Sequence, residues 1–144
     1  SFLKKALQEL QSSFEVFKIS SFYETEAQDY KEQHLFLNCC VGIRTEDSAF
    51  ELLTHFKDIE EKLGRKKNLE KGPRCIDIDI IFCGNEKISS EFLQIPHKSL
   101  FKRAFVLVPL LEILPLHHLS YAQCKRSLEI IRREQVVLPF SHNS

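Results

Sequence analysis

Apolar residues recur at helical spacing from the start of the chain. Phe2, Leu3, Ala6, Leu7 and Leu10 form one stripe, which predicts an amphipathic helix ending near Ser12 and Ser13. From Phe14 to Ile19 the pattern changes to alternation, and Ser20 to Thr25 continues with aromatic and β-favouring residues. One extended segment is expected to run through both. The polar stretch from Glu26 to Gln33 breaks it, and Leu35 to Ile43 reads as a second strand. Thr45, Glu46 and Asp47 then offer caps for a helix with the stripe Leu52, Leu53, Phe56, Ile59 and Leu63. Gly64 stands just past its end, where a left-handed residue stops a helix.

In the second half, Cys75 to Cys83 is the best-defined strand. Gly84-Asn85 reads as a turn, and Glu86 to Ile88 as a short strand pairing back to make a hairpin. Phe101 to Ile113 has a helical pattern interrupted by Pro109, and Ser127 to Arg133 is expected as a final helix. Helices interspersed with hairpin-linked strands predict an α+β class with a mainly antiparallel sheet, not a doubly wound fold. The chain has no Gly-rich phosphate loop of the Walker type and no Gly-x-Gly-x-x-Gly, which disfavours P-loop and Rossmann enzymes. It also shows no repeat and no low-complexity tract.

At 144 residues the chain reads as one domain, residues 1–144. Lys plus Arg equals Asp plus Glu at 20 each, so no bulk field recruits nucleic acid or an anionic membrane, and any cationic site must be built locally. Five cysteines is an odd count, and the neighbours Cys39 and Cys40 face opposite ways in a strand. Neither a disulfide framework nor a Cys-x-x-Cys metal site is indicated, and a reducing cytoplasm is expected. With no apolar run of membrane length and no secretory leader, a soluble protein is expected.

The candidate chemistry lies in Lys71-Gly72-Pro73-Arg74-Cys75-Ile76-Asp77-Ile78-Asp79-Ile80-Ile81. Side chains alternate across a strand, so Ile76, Ile78 and Ile80 turn to a core while Asp77 and Asp79 face the other way, about 6–7 Å apart. Such a pair suits magnesium, which takes one or two carboxylates and completes its shell with water and polyphosphate oxygens. The bland alternative is the solvated face of an amphipathic strand, although Asp is disfavoured in strands. Arg74, set by the Gly-Pro turn, adds a planar fork that matches phosphate oxygens. The basic run Arg65 to Lys71 reads either as a solvated charge run or as a phosphate-facing lid.

This motif resembles the signature of the 6-hydroxymethyl-7,8-dihydropterin pyrophosphokinase family, Gly-Pro-Arg-x-x-Asp-Leu/Ile-Asp followed by two aliphatic residues. The resemblance extends through Ser20-Ser21-Phe22-Tyr23-Glu24-Thr25, Phe36-Leu37-Asn38, Glu60 to Arg65, Phe82 to Glu86, and Ile95-Pro96-His97 to Phe105. It implies a ferredoxin-like α/β sandwich with helices on both faces of a mainly antiparallel sheet. It also implies magnesium-dependent transfer of pyrophosphate from ATP to the hydroxymethyl oxygen of the reduced pterin, giving AMP. The enzyme would be a cytoplasmic, monomeric member of the folate pathway whose partners are these two small molecules. Family members begin with a strand ending in Gly-Ser-Asn before the first helix. Here the chain opens at Ser1 directly in the helical pattern and contains no methionine, so that strand is expected to be missing from this sequence.

Carried over residue by residue, the resemblance makes Asp77 and Asp79 the holders of two magnesium ions and Arg65 and Arg74 the clamp on the phosphates. Glu60, Ile80, Leu93, Gln94, His97, Lys98 and Arg103 fall on the ATP side with the two arginines. Phe36 and Phe105 are implied to sandwich the pterin ring, an arrangement that aromatic stacking favours. Asn38, on the same strand face as Phe36, reads the pterin edge with its amide, and Thr25, Ala27, Gln28 and Asp77 line the rim. The chain departs from the family pattern at Lys57, where an amide is often found, at Lys98, where an aromatic follows the histidine, and at Lys71, where an aromatic can precede Gly-Pro. The loop 66–71 is also slightly short. These departures bear on adenine contacts and lid closure. Two competing readings are a catalytically silent nucleotide-binding domain of the same fold and a metal-dependent nucleotidyl or sugar transferase. The latter leaves Phe36, Asn38 and Phe105 without a role.

Overall fold

The computed structural model describes residues 2–26, 35–65 and 76–140. In chain order they form α1 (Phe2–Ser13), β1 (Glu15–Ile19), β2 (Tyr23–Glu26), β3 (Leu35–Asn38), β4 (Val41–Arg44), α2 (Ala49–Glu60), β5 (Ile88–Ser89), β6 (Gln94–Ile95), α3 (Ala104–Ile113), α4 (Tyr121–Ile131) and β7 (Leu138–Pro139). Helices thus alternate with strand pairs, and β2–β3, β2–β7 and β5–β6 are antiparallel, an α+β arrangement. The chain divides into two compact regions. One comprises Ser1–Glu15 with Arg44–Lys98, the other Val16–Ile43 with Ser99–Ser144.

In the first region α1 buries Ala6 and Leu10, and α2 buries Ala49, Leu52, Phe56 and Ile59, as their apolar spacing requires. Phe14 closes α1 by donating its N–H to the Leu10 carbonyl at 2.8 Å. Its ring then meets His55 and Phe56 edge-on, at 5.1 and 5.8 Å between centroids. The cap of α2 is Ser48, not the Thr45 to Asp47 stretch expected from sequence. Its hydroxyl accepts from the Glu51 N–H while the Glu51 carboxylate accepts from the Ser48 N–H, so two helix-end donors are satisfied reciprocally. At its far end α2 runs into a wider turn, Glu61–Arg65, and Gly64 takes φ 115°, a conformation that costs glycine little and other residues more.

Beyond this turn the expected strand from Cys75 to Cys83 is not formed as such. Among the described residues, 76–83 belong to no sheet. The Ile/Asp alternation survives: Ile76 and Ile78 are half-buried and Ile80 is buried, while Asp77 and Asp79 are exposed. The expected turn at Gly84-Asn85 is present, closed by the Glu86 N–H on the Cys83 carbonyl at 3.1 Å. The hairpin partner differs, however, because β5 pairs with β6 and not with the Asp-bearing segment. Ser90 fixes that hairpin. Its N–H and hydroxyl both donate to the Leu93 carbonyl, and its hydroxyl accepts from the Leu93 N–H.

In the second region the extended run from Phe14 to Thr25 breaks into β1 and β2, which lie in different sheets. The expected strand from Leu35 to Ile43 likewise splits into β3 and β4 at Cys39-Cys40. The reason is a contact between the two runs. Ser20 N–H donates to the Cys40 carbonyl, and Cys40 N–H donates to the Ser20 hydroxyl, both at 2.8 Å, so the two breaks are bonded to each other. β1 pairs with β4, and Gly42 lies under the Phe17 ring, where a Cβ would come within 2.8 Å of that ring. β3, β2 and β7 form a three-stranded sheet.

α3 is apolar almost all round and buries Ala104, Leu107, Pro109 and Leu110 against neighbours that include α4, whose Cys124 is fully buried. The interruption expected at Pro109 does not occur. The helix continues through this buried ring and forgoes one main-chain bond. The last helix begins at Tyr121, earlier than the Ser127 expected. The four described cysteines are free thiols. Burial pushes Cys39 up to about 11, Cys40 to about 12 and Cys124 to about 11, so these stay protonated and are poor nucleophiles. Among the described residues no helix is long and apolar enough to cross a membrane.

The start of α3 is tied down by Gln135. Its Oε1 accepts from the Ala104 N–H at 2.7 Å and its Nε2 donates to the Lys102 carbonyl at 3.0 Å, serving where the helix has no side-chain cap of its own. Replacing Gln135 by Ala is expected to cost about 1–2 kcal/mol, read as a lower urea midpoint with unchanged slope.

A second prediction concerns Tyr23. Its hydroxyl donates to Glu112, whose other carboxylate oxygen accepts from the Ser21 N–H at 2.8 Å. Burial, aided by Glu112, raises Tyr23 from about 10 to about 12. Burial alone would raise Glu112, but the bonds from Tyr23 and Ser21 hold it below the usual carboxylate value. The Tyr23 contribution to stability is therefore complete below pH 10 and is lost between about 10 and 12, where only the unfolded chain is ionised. Absorbance titration should show Tyr23 ionising late. Glu112→Gln should bring it earlier while burial keeps it above the ordinary value.

Candidate functional site

The first region holds an acidic edge beside a cleft. Because the three isoleucines at 76, 78 and 80 turn inward, Asp77 and Asp79 are left on the exposed side of the same short stretch. Behind them lies Glu60, from the last turn of α2, with a relative exposure of only 2%. Its Oε2 accepts the Ile78 N–H at 2.6 Å, and its Oε1 lies 3.7 Å from the Lys57 ammonium one turn earlier. Far from being an ordinary helix-surface charge, Glu60 supports the main chain between the two aspartates.

The cleft has a volume of about 220 Å³. Its apolar walls are Leu53, Ile78, Ile80 and Leu93. Its polar groups are Lys57, Asp79, Ser90, Glu91, Gln94, His97 and Lys98, with the ring of Phe92 also on its lining. Whole-ligand pockets run about 300–1,000 Å³. This cleft therefore suits one flat ring system, with the rest of a larger ligand lying outside along the polar rim. Asp79 joins the cleft to the acidic edge. Its Oδ2 stands 4.0 Å from His97 Nε2, and the His97 main chain is pinned by its N–H on the Ile81 carbonyl at 3.0 Å.

Six of the residues expected on the nucleotide side or at the metal thus line one cleft: Asp79, Ile80, Leu93, Gln94, His97 and Lys98. Asp77 shares the exposed face with Asp79 but does not line the cleft. Arg74 lies outside the described residues, as do Ala27, Gln28 and the loop 66–71, and Arg65 is described only in its main chain. Leu53, Ser90, Glu91 and Phe92 were not expected in the lining. A Ser followed three residues later by an apolar strand residue was the available signal for the hairpin that carries the last three.

The second region assembles a different group. β2 and β3 are in register with Thr25 opposite Phe36 and Tyr23 opposite Asn38. Phe36 is 37% exposed, and two residues on Asn38 shares its strand face and donates through Nδ2 to the Thr25 hydroxyl at 3.2 Å. An exposed aromatic beside an amide already oriented by a hydroxyl is equipped to stack on a flat heterocycle and read its edge. At the start of α3, which packs on β2 and β3, the Arg103 guanidinium lies 5.5 Å from the centre of the Phe105 ring. Thr25, Phe36, Asn38, Arg103 and Phe105 therefore all belong to this region.

The donor set at 77 and 79 fits a hard divalent cation. Both groups are exposed carboxylates on one face, and among the described residues no set of three or more His, Cys, Asp or Glu is placed to hold an ion. An ion there would draw its remaining oxygens from water or substrate, as magnesium does in phosphoryl-transfer sites.

Residues 1–115 match the family model described as 7,8-dihydro-6-hydroxymethylpterin-pyrophosphokinase. The chain is 36% identical over 140 residues to a 2-amino-4-hydroxy-6-hydroxymethyldihydropteridine pyrophosphokinase of Aquifex aeolicus, covering 97% of this chain and 86% of that protein. It is 45% identical over 98 residues to the protein of the same name from Bacillus subtilis, covering 68% of this chain and 59% of the other. A folic acid synthesis protein from Pneumocystis carinii is 45% identical over 98 residues, and there the match spans 13% of the longer protein. The match over residues 1–115 takes in both the acidic edge with its cleft and the Phe36–Asn38 face, and on that ground the chain belongs to the 7,8-dihydro-6-hydroxymethylpterin-pyrophosphokinase family.

Proposed function

We propose that this chain transfers the pyrophosphoryl group of ATP to the hydroxymethyl oxygen of 6-hydroxymethyl-7,8-dihydropterin, in folate synthesis. The observation that carries the reading is the cleft, where six residues expected at the nucleotide or metal converge beside the exposed Asp77 and Asp79. The fold proposed for the whole domain, residues 1–144, is the ferredoxin-like sandwich, supported by its α+β content and antiparallel pairings. A reducing cytoplasm is supported by the free thiols.

In the reaction the pterin alcohol oxygen bonds to the β-phosphorus, the bond from that phosphorus to the α–β bridging oxygen breaks, and AMP leaves with the bridging oxygen. The alcohol proton passes to solvent. The apolar walls Leu53, Ile80 and Leu93 hold the adenine ring out of water, and Gln94 supplies a polar contact at its edge. His97 and Lys98 lie on the same lining, where an imidazole N–H and an ammonium favour the phosphate chain. Lys57, in place of an amide, adds a further cation. Asp77 and Asp79 would hold two magnesium ions, which when bound neutralise charge on the phosphate oxygens. Arg65 and Arg74 are proposed to clamp the phosphates, since guanidinium forks match their oxygens, and Arg103 is proposed on the nucleotide side. Phe36 and Phe105 are proposed to stack on the pterin, with Asn38, Thr25, Ala27 and Gln28 at its edge. Catalysis of this kind rests on alignment and charge neutralisation more than on proton transfer.

Incubation with ATP and magnesium should release AMP only when the pterin is present. Nucleotide binding without AMP would instead favour a silent domain. Asp77→Ala and Asp79→Ala should each lower turnover by on the order of 10²–10³, since several kcal/mol of charge stabilisation is lost, with circular dichroism unchanged. Phe36→Ala should raise the KM for the pterin by roughly tenfold, about 1.4 kcal/mol of stacking and burial, and leave nucleotide affinity in place.

A further inference from the structure

We propose that Glu60 is a positioning residue for the acidic edge: its buried carboxylate fixes the main chain at Ile78 and thereby the relation between Asp77 and Asp79, without itself touching nucleotide or metal. This rests on the reading above and goes beyond it.

Three facts make Glu60 an expensive residue to keep. A carboxylate buried to 2% exposure has lost its hydration, which costs several kcal/mol unless it is bonded. It stands in the last turn of α2, where the helix dipole disfavours negative charge. Its ion-pair partner, Lys57, is 57% exposed and 3.7 Å away, too screened and too long to offset that cost alone. The short bond from Ile78 N–H, at 2.6 Å, is a charge-assisted contact of the kind that offsets such a cost.

The position of that bond gives it a consequence for the metal ligands. The Ile78 N–H belongs to the peptide plane joining residues 77 and 78, so holding it fixes the torsion that leaves Asp77 and the one that enters Ile78. In a paired strand, ladder bonds to a neighbour would hold this pleat. Among the described residues, 76–83 belong to no sheet, and a side chain from α2 supplies the acceptor at the residue midway between the two aspartates. Both carboxylates are exposed. Their separation depends on the main chain beneath them. Ile78 and Lys57, both in contact with Glu60, also line the cleft, so the same carboxylate steadies the wall against which a ring would lie.

The test uses Mn²⁺ as a paramagnetic probe, with a non-hydrolysable ATP analogue, in wild type, Glu60→Ala and Glu60→Gln. Supporting groups of this kind alter metal affinity by about 10–100-fold. Glu60→Ala should therefore weaken Mn²⁺ binding at least tenfold, with nucleotide affinity measured in EDTA unchanged. Glu60→Gln keeps the volume and an acceptor oxygen, so it should restore Mn²⁺ affinity to within about threefold of wild type. In amide NMR spectra the Ile78 proton should lie downfield in wild type, move upfield in Glu60→Ala and hold most of its shift in Glu60→Gln. Equal Mn²⁺ affinity in wild type and Glu60→Ala overturns the positioning role while leaving the pyrophosphokinase reading intact. A fall in metal-free nucleotide affinity makes Glu60 a direct ligand contact and overturns it too. Wild type that takes up no Mn²⁺ with nucleotide overturns both readings.

Discussion

The candidate site depends on keeping two aspartates on the outside of a segment whose isoleucines must be inside. Alternation of Ile and Asp from 76 to 80 separates the two chemistries geometrically, but alternation alone does not hold a segment still. A strand usually gains that rigidity from its neighbours. Here the Glu60 carboxylate accepts from the N–H of Ile78, the residue between the aspartates, at 2.6 Å. The interaction couples the end of α2 to the acidic edge, and through Ile78 to the cleft wall.

Side chains take up main-chain hydrogen bonds at the other critical joints as well. Ser48 and Glu51 close the start of α2, Ser90 closes the hairpin that carries part of the cleft, and Ser20 is bonded to Cys40 where two extended runs break. Gln135 grips the main chain on either side of Arg103, beyond the 115 residues that match the family model. Each of these contacts satisfies backbone groups that regular structure leaves unpaired. Each also sits next to residues with a proposed role in binding. The short strands of this protein make such contacts necessary, because two-residue ladders such as β5–β6 and β2–β7 hold few bonds of their own.

Much of the candidate site was legible in sequence because its chemistry is carried by a contiguous motif. The facing of Asp77, Asp79 and the isoleucines between them followed from spacing alone, and the shared face of Phe36 and Asn38 from the period of a strand, while the role of that pair came from the resemblance. Glu60 was not legible in the same way. Its place on the ATP side came from the family resemblance, and among the charged neighbours in Ile59-Glu60-Glu61-Lys62 nothing local marks it as the carboxylate turned inward. The cleft residues Ser90 and Phe92 were hidden for a similar reason, since their place depends on which segments pair in the hairpin.

Sequence by itself determined where α1 and α2 lie and which faces they bury, because their periodicity is local, and the alternation that separates isoleucine from aspartate. These follow from 3.6- and 2-residue periods and from glycine at Gly64, none of which needs a distant partner. Tertiary structure decided where extended runs break, which strands pair and which carboxylate is buried. Two runs that read as continuous became four strands because Ser20 and Cys40, twenty residues apart, bond to each other. Strand pairing and burial are settled by contacts between distant parts of the chain, and a local pattern names the residues able to make them without naming the partner each one finds.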